Sequence, residues 1–322
     1  MASLSRFFAA LALSLGSVNA VGQTDWPTKP VRIIVPFAPG GTADISARIV
    51  AEQLTKSFGQ SFVAENRSGA SGNIGAAEVA RSAPDGYTLL MGNTPTVVIN
   101  QFIFPKMPYN SEKDFAPVSF VVRVPNVLVV HPSLGVRSLQ ELIERAKAKP
   151  GSINYGTSGA GTVLHLSAEL LKTMAKIDLV HVPYKGSGPM LQDLLAGQVQ
   201  MSIDNVPSAL PHIRSGRLLA LAVTPSRPVA MLPNVPTIAS VIPGYEAVAF
   251  FALMAPTGTP QSIVSRLSAE IDKILRRPDV MERFQQLGAE PVGGTPAELA
   301  AFIASETVKW REVVKASGAR AD

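Results

Sequence analysis

Two glycine loops hold most of the residues in this sequence that could do chemistry. The first runs Ala38-Pro39-Gly40-Gly41-Thr42, with Asp44 two places on; the second is Gly156-Thr157-Ser158-Gly159-Ala160-Gly161-Thr162. A glycine turn that opens onto a helix brings unpaired backbone N–H groups to one point, which suits a carboxylate or a phosphate. The second loop lacks the Lys-Ser/Thr pair that completes a P-loop, so nucleotide hydrolysis has little support. Ser158 follows a glycine at the spacing of a nucleophile elbow, but Ala160 stands where the second glycine of G-x-S-x-G belongs. His131, His165, His181 and His212 show no metal-type spacing, and His165, between Leu164 and Leu166, reads as a packing or surface residue. Acidic residues form no locally spaced pair of the kind a two-carboxylate hydrolase uses. Binding elements without an activating group point to a non-catalytic protein with no metal and no cofactor.

The elements that must position these loops follow from periodicity. Val31, Ile33, Ile34 and Val35 form a β-branched apolar run that Pro36, Pro39, Gly40 and Gly41 stop. Thr42 is placed to cap a helix with Ile45, Ile49, Val50 and Leu54 on one face. The dipole of such a helix stabilises an anion by roughly 0.3–1 kcal/mol. The alternative is that strand, glycine turn and helix are ordinary α/β punctuation. Asp44 also has two readings: it accepts from first-turn N–H groups and pairs with Arg48, or it orients the loop and receives a polar group of a ligand.

The same unit recurs at Ile153-Asn154-Tyr155, with Thr162 as cap and Val163, Leu166, Leu170 and Met174 roughly aligned. Two such units suggest two lobes that each present a helix N-terminus. Between them short strands alternate with helices, the pattern of an open α/β sheet, whose ligands sit beyond the carboxyl ends of the strands. Asn93, Thr94 and Thr96 follow the strand Tyr87 to Gly92, and Asp204 and Asn205 end the strand that starts at Val199, so all five are candidates for lining a cleft. Val248 to Ala255 is a long apolar strand whose Phe250 and Phe251 read most simply as core residues, alternation letting only one of them, with Phe250 the candidate, face a cleft. Three amphipathic helices are expected at Pro260 to Leu275, Pro278 to Leu287 and Pro296 to Ala316.

The first twenty residues carry Arg6, an apolar run from Phe7 to Val18, and Val18-Asn19-Ala20, which suits a signal peptidase. The run is short for a bilayer span, so residues 1–20 read as a secretory signal peptide, removed to leave a periplasmic protein that starts near Val21. No cysteine occurs, so neither a lipid-modified cysteine nor a disulfide is available. The remainder suffices for two ordinary domains. A formal net charge of +5, with no Lys/Arg-rich block, excludes a nucleic-acid surface and favours anionic solutes weakly.

The runs PFAPGGTADISAR, DGYTLLMGN, PKMPYNSEKDFAPV, YGTSGAGT and HVPYKGSGPMLQDLLAGQVQMSIDNVPSALPHIRSGRLLALAV resemble the Bug (TctC-like) receptors of tripartite tricarboxylate transporters, from about Trp26 to the C-terminus. The resemblance implies a type II periplasmic binding protein fold: two α/β lobes joined by two crossing strands. Lobe 1 would hold residues 26–124 plus 252–322, and lobe 2 residues 125–251, with Pro125 to Val130 as outgoing and Val248 to Ala255 as return crossover. It implies that the loops from Ala38 to Asp44 and from Thr157 to Thr162 grip a small organic carboxylate, that Asp204 and Asn205 lie near the cleft, and that membrane permease subunits are the partner. A monomer is the expected unit. Val97-Val98 stands where many relatives carry His-Ala, and Phe250-Phe251 where tryptophan is common, which favours an aromatic or aliphatic monocarboxylate over citrate. The rival readings are a sensor that signals to a membrane partner and an exported hydrolase using Ser158.

Overall fold

β-branched runs punctuated by Pro and Gly become strands, and the amphipathic stretches between them become the helices that cover those strands. The computed structural model describes residues 26–37, 39–184 and 187–320; the expected leader and Ala38 lie outside them. In chain order come β1 (Val31–Val35), α1 (Thr42–Phe58), β2 (Phe62–Asn66), α2 (Asn73–Ala80), β3 (Thr88–Asn93), α3 (Asn100–Ile103) and β4 (Phe115–Val124). Next are β5 (Asn126–Val130), α4 (Leu139–Ala148), β6 (Asn154–Thr157), α5 (Val163–Ala175), β7 (Val180–Pro183), α6 (Ser187–Leu195), β8 (Met201–Asn205), α7 (Val206–Arg214) and β9 (Leu219–Val223). The chain ends with β10 (Ala249–Pro256), α8 (Gln261–Leu275), α9 (Pro278–Gln286), β11 (Glu290–Pro291) and α10 (Pro296–Ser317).

Two mixed sheets result. One has the order β11-β4-β10-β3-β1-β2, the other β7-β6-β8-β5-β9. In the first sheet β1 runs parallel to β2 and β3, while β10 is antiparallel to β3 and β4; in the second β6 runs parallel to β7 and β8, while β5 is antiparallel to β8 and β9. The chain leaves the first sheet at Pro125, between β4 and β5, and re-enters it with β10. This is the type II periplasmic binding protein arrangement of two α/β lobes with crossing strands.

Two elements escape a reading by pattern alone. The strand β4 holds the apolar run Phe120 to Val122, but Pro105, Pro108 and Pro117 around it imitate a loop. The helix α7 contains Pro211 and opens on Val206-Pro207; proline is tolerated in a first turn, where the missing N–H would be unpaired in any case.

The sheets are fastened by a common core as well as by the crossing strands. The helix α10 packs against β4 of the first sheet and against α5 of the second. Its Trp310 has no exposed surface, donates from Nε1 to Glu306 Oε2 at 2.9 Å, and shares a continuous apolar cluster with Phe120 and Phe250 on one side and Tyr155 and Leu166 on the other. A capping box at its start, Thr295 with Glu298, fixes where the helix begins.

Truncating a fully buried aromatic leaves a cavity that costs about 3–5 kcal/mol. Trp310→Ala should therefore lower the stability read from urea unfolding by that amount.

Candidate functional site

The first glycine loop leaves β1 at Pro36 and meets α1 at Gly41. Thr42 does not cap this helix: Gly41 is its N-cap, in extended conformation and with no side chain to offer. The side chain that shapes the loop is Asp44. Its Oδ2 accepts the Gly40 N–H at 3.0 Å, Arg48 Nε donates to Oδ1 at 3.0 Å and to Oδ2 at 3.1 Å, and Asn66 Nδ2 donates to Oδ1 at 3.0 Å while also reaching the Phe37 carbonyl at 3.0 Å. Burial raises the pKa of this carboxyl, but the hydrogen bonds from Arg48, Gly40 and Asn66 outweigh burial and hold it below the usual aspartate range. Asp44 thus orients the loop, and its oxygens are already engaged. Pro39, Gly40 and Gly41 face solvent and Thr42 is half-buried. The first intrahelical bond runs from Ile45 N–H to Gly41 O, which leaves the N–H groups of the first turn pointing outward.

The second loop is built the same way with different side chains. Thr162 caps α5, its hydroxyl accepting the His165 N–H at 3.3 Å, as the sequence indicated. Thr157, fully buried, accepts the Gly159 N–H at 3.3 Å and bonds His181 Nε2 at 2.7 Å. His165 Nδ1 accepts the Gly161 N–H at 3.0 Å. Ser158 and Gly159 are half-buried and Ala160 is exposed. The two nearby imidazoles are thus bonded to Thr157 and Gly161, not to Ser158.

The loops belong to opposite sheets and the structure brings their surroundings together. A Cβ added to Gly161 would overlap Ile103 Cδ1, so the second loop abuts α3 of the first lobe. Gly161 also has φ of +72°, where a side chain is strained.

The other expected cleft residues are more deeply set. Thr94 has no exposed surface, and its hydroxyl accepts the Phe250 N–H at 3.0 Å, tying the end of β3 to β10. Thr96 closes a buried turn, its hydroxyl donating to Asn93 Oδ1 at 2.9 Å. Phe250 is fully enclosed against Phe120 and Phe302, with ring centroids 5.7 and 5.1 Å away, so its ring fills core. Val97 and Val98 are core residues as well. Asp204 is completely buried behind the end of β8, where Ser187 Oγ donates to Oδ1 at 2.7 Å; burial raises its pKa to about 6. Asn205 is half-buried and stands opposite Asn126 in the register of β8 and β5.

Three features were not legible beforehand. Asn126 is wholly buried at the start of β5 with both ends of its carboxamide free of partners. The turn Gly69-Ala70-Ser71-Gly72 holds two non-glycine residues at positive φ, 46° and 53°. Asn100 pins it, donating to the Ser71 carbonyl at 3.0 Å and to Asn73 Oδ1 at 2.8 Å, while Tyr109 donates to the same Asn73 oxygen at 3.0 Å. Strain of this kind gathers where loops face a ligand. Finally, His165 and His181 bond the second loop from beneath. No local sequence signal joins residues 24 and 29 positions apart.

Comparison with known proteins accords with this geometry. The sequence pattern of the family described as "Tripartite tricarboxylate transporter family receptor", TctC, matches residues 46–319. Protein BugT of Bordetella pertussis is 41% identical over 325 residues, covering 99% of this chain and 99% of that one. Among solved structures, Rpa4515 of R. palustris with adipate is 42% identical with a TM-score of 0.84, covering 92% of this chain and 99% of that one. MatC from Rhodopseudomonas palustris with bound malate is 35% identical with a TM-score of 0.79, covering 90% and 100%. With two lobes, two loops of helix-terminal donors and these relatives across nearly its whole length, the chain belongs to the TctC family of periplasmic solute-binding receptors.

Proposed function

We propose that this receptor captures a small organic carboxylate between its lobes and delivers it to a tripartite-type membrane permease. The observation that carries the reading is the pair of glycine loops, each pre-shaped by buried side chains and each opening onto unpaired helix N–H groups, with the second seated against α3 of the opposite lobe. A carboxylate held there meets donors from both sides and no catalytic base. Gly40, Gly41 and Thr42 on one side and Ser158, Gly159, Ala160 and Thr162 on the other are the residues we assign to it; Asp44, Thr94, Thr96, Thr157 and Asp204 shape the walls from behind. The structure that is 42% identical holds adipate, which supports an aliphatic acid as solute. The burial of Val97, Val98 and Phe250 takes away the argument that these positions set the polarity of the solute's far end. Residues 1–20 are proposed to export the protein to the periplasm. The proposed lobe boundaries are near residues 124/125 and 251/252; the first falls where the chain leaves the first sheet, whereas β10 already pairs with β4 from Ala249, ahead of the second.

A solute that binds the folded state alone raises its melting temperature by mass action, by roughly 2.7 kcal/mol of stability at 100 times the dissociation constant. Adipate should raise the melting temperature of the protein from Val21 onward, and adipamide, its uncharged diamide, should not. Equal shifts with both would overturn carboxylate capture. Gly161→Val should abolish the adipate shift while the unliganded protein keeps its circular dichroism, because the new side chain collides with Ile103 where the lobes meet.

Asp204 supplies a pH test. Its folded pKa, about 6, lies above the unfolded value near 3.9, so the folded state favours the protonated acid. Stability attributable to this group is present below about pH 4 and is lost as pH rises to about 6. Asp204→Asn removes that dependence and should be more stable than the parent above about pH 6, measured by urea midpoints across the range.

A further inference from the structure

We propose that His165 and His181, stacked as neutral imidazoles beneath the second glycine loop, are positioning residues that hold its carboxylate-binding shape and make solute capture fail on acidification.

The stack is assembled from three elements. Strand β6 places Tyr155 in register with His181 of β7, and the first turn of α5 adds His165. The imidazole centroids lie 4.0 Å apart with planes 15° from parallel, and the Tyr155 ring lies 5.0 Å from His181 at 24°. Each imidazole is bonded to the loop at a different point. His165 Nδ1 accepts the Gly161 N–H, which requires that nitrogen to carry no proton, so the ring proton sits on Nε2, 3.9 Å from Glu169 Oε1. His181 Nε2 meets the Thr157 hydroxyl, whose oxygen also receives the Gly159 N–H.

Protonation acts on the loop through His165. A proton on His165 Nδ1 sets N–H against the Gly161 N–H and expels it. Protonated His181 donates from Nε2 to the Thr157 hydroxyl, which then donates to the Gly159 carbonyl 3.3 Å away, and its charge acts on His165 through the stack. Two imidazolium rings 4.0 Å apart repel, so the first proton hinders the second. The charged groups that act on the rings are Glu169 and Lys172 of α5; β6 contributes Tyr155, whose hydroxyl is bonded to Glu169, and among the described residues no charged group of β8 or α10 acts on them. Lys172 is joined to Glu169 at 2.8 Å, which weakens the attraction of that carboxylate for an imidazolium.

Burial, and for His181 the neighbouring imidazole, hold both rings below the usual histidine value, His181 at about 4. With the unfolded value near 6.5, the stability contributed by the neutral rings is present above about pH 6.5 and is lost as pH falls to about 4, and within the folded protein His181 takes up its proton only near about pH 4. An imidazolium would attract a nearby carboxylate, so the two effects have opposite signs. Loss of the loop's shape outweighs that attraction.

The experiment has an arm without solute. In the ligand-free protein from Val21 onward, the Gly161 amide nitrogen and proton shifts should titrate with the His165 ring, and His165→Phe, which keeps the stack but has no acceptor, should abolish that titration. In the second arm, which rests on the solute reading above, adipate is titrated calorimetrically from about pH 7.5 to about pH 4, and its affinity, corrected for protonation of the adipate carboxyls themselves, should fall about ten-fold. His165→Phe should bind adipate about ten-fold more weakly at about pH 7.5 with a flattened pH profile, and His165→Asn, whose Oδ1 can accept from Gly161, should restore affinity while leaving the profile flat. A Gly161 amide that ignores His165, or adipate binding that tightens on acidification, would overturn the proposal. Should adipate fail to bind at any pH, the solute reading falls, and the Gly161 titration alone decides the role of the histidines.

Discussion

A backbone N–H meant for a solute has to be left without an internal partner, and the loop that carries it must be held in shape by something else. That constraint organises this molecule. Unpaired donors at a strand end have no ladder to fix them, and the glycines that let a ligand approach closely also loosen the chain. Buried polar side chains make up the difference. The loop after β1 is held by an ionised carboxylate, Asp44, itself gripped by Arg48 and Asn66; the loop after β6 is held by neutral groups, Thr157 and His165. One loop is therefore shaped by a carboxylate held below the usual aspartate range and the other by a neutral imidazole.

The sequence carried the architecture further than it carried the roles of individual side chains. β1, its glycine turn and α1 are legible because β-branched residues, glycines and a 3.6-residue apolar repeat are local signals, and Thr162 declares its helix because a cap acts within three residues. The family resemblance rests on the same local runs. The cap at Thr42 misled because a threonine just inside a helix and one just outside it look alike in sequence; Gly41 takes the position and Asp44 reaches back to do the work. Phe250 misled for a related reason. Alternation says that neighbours face opposite ways, but both faces of β10 are covered, so neither face is open. Thr94 and Asp204 sit at strand ends as expected, yet burial was decided by the elements packed over them.

The histidines show where local reading stops. Thr157, His165 and His181 make one assembly only because β6 and β7 pair in a particular register and α5 starts at a particular place. Reading His165 as a packing residue was correct for its ring and incomplete for its nitrogen. The same holds for Asn100 and Tyr109, whose partner Asn73 is 27 and 36 positions away.

The apolar cluster that α10 shares between the sheets bears on how freely one sheet can move against the other. Parting α10 from α5 would wet hydrocarbon at about 2.5 kcal/mol per 100 Å², and keeping them together would drag α10 across β4. Either way the two sheets part against a restoring force. The shared cluster acts as a leaf spring clamped at both ends, resisting displacement of one sheet relative to the other.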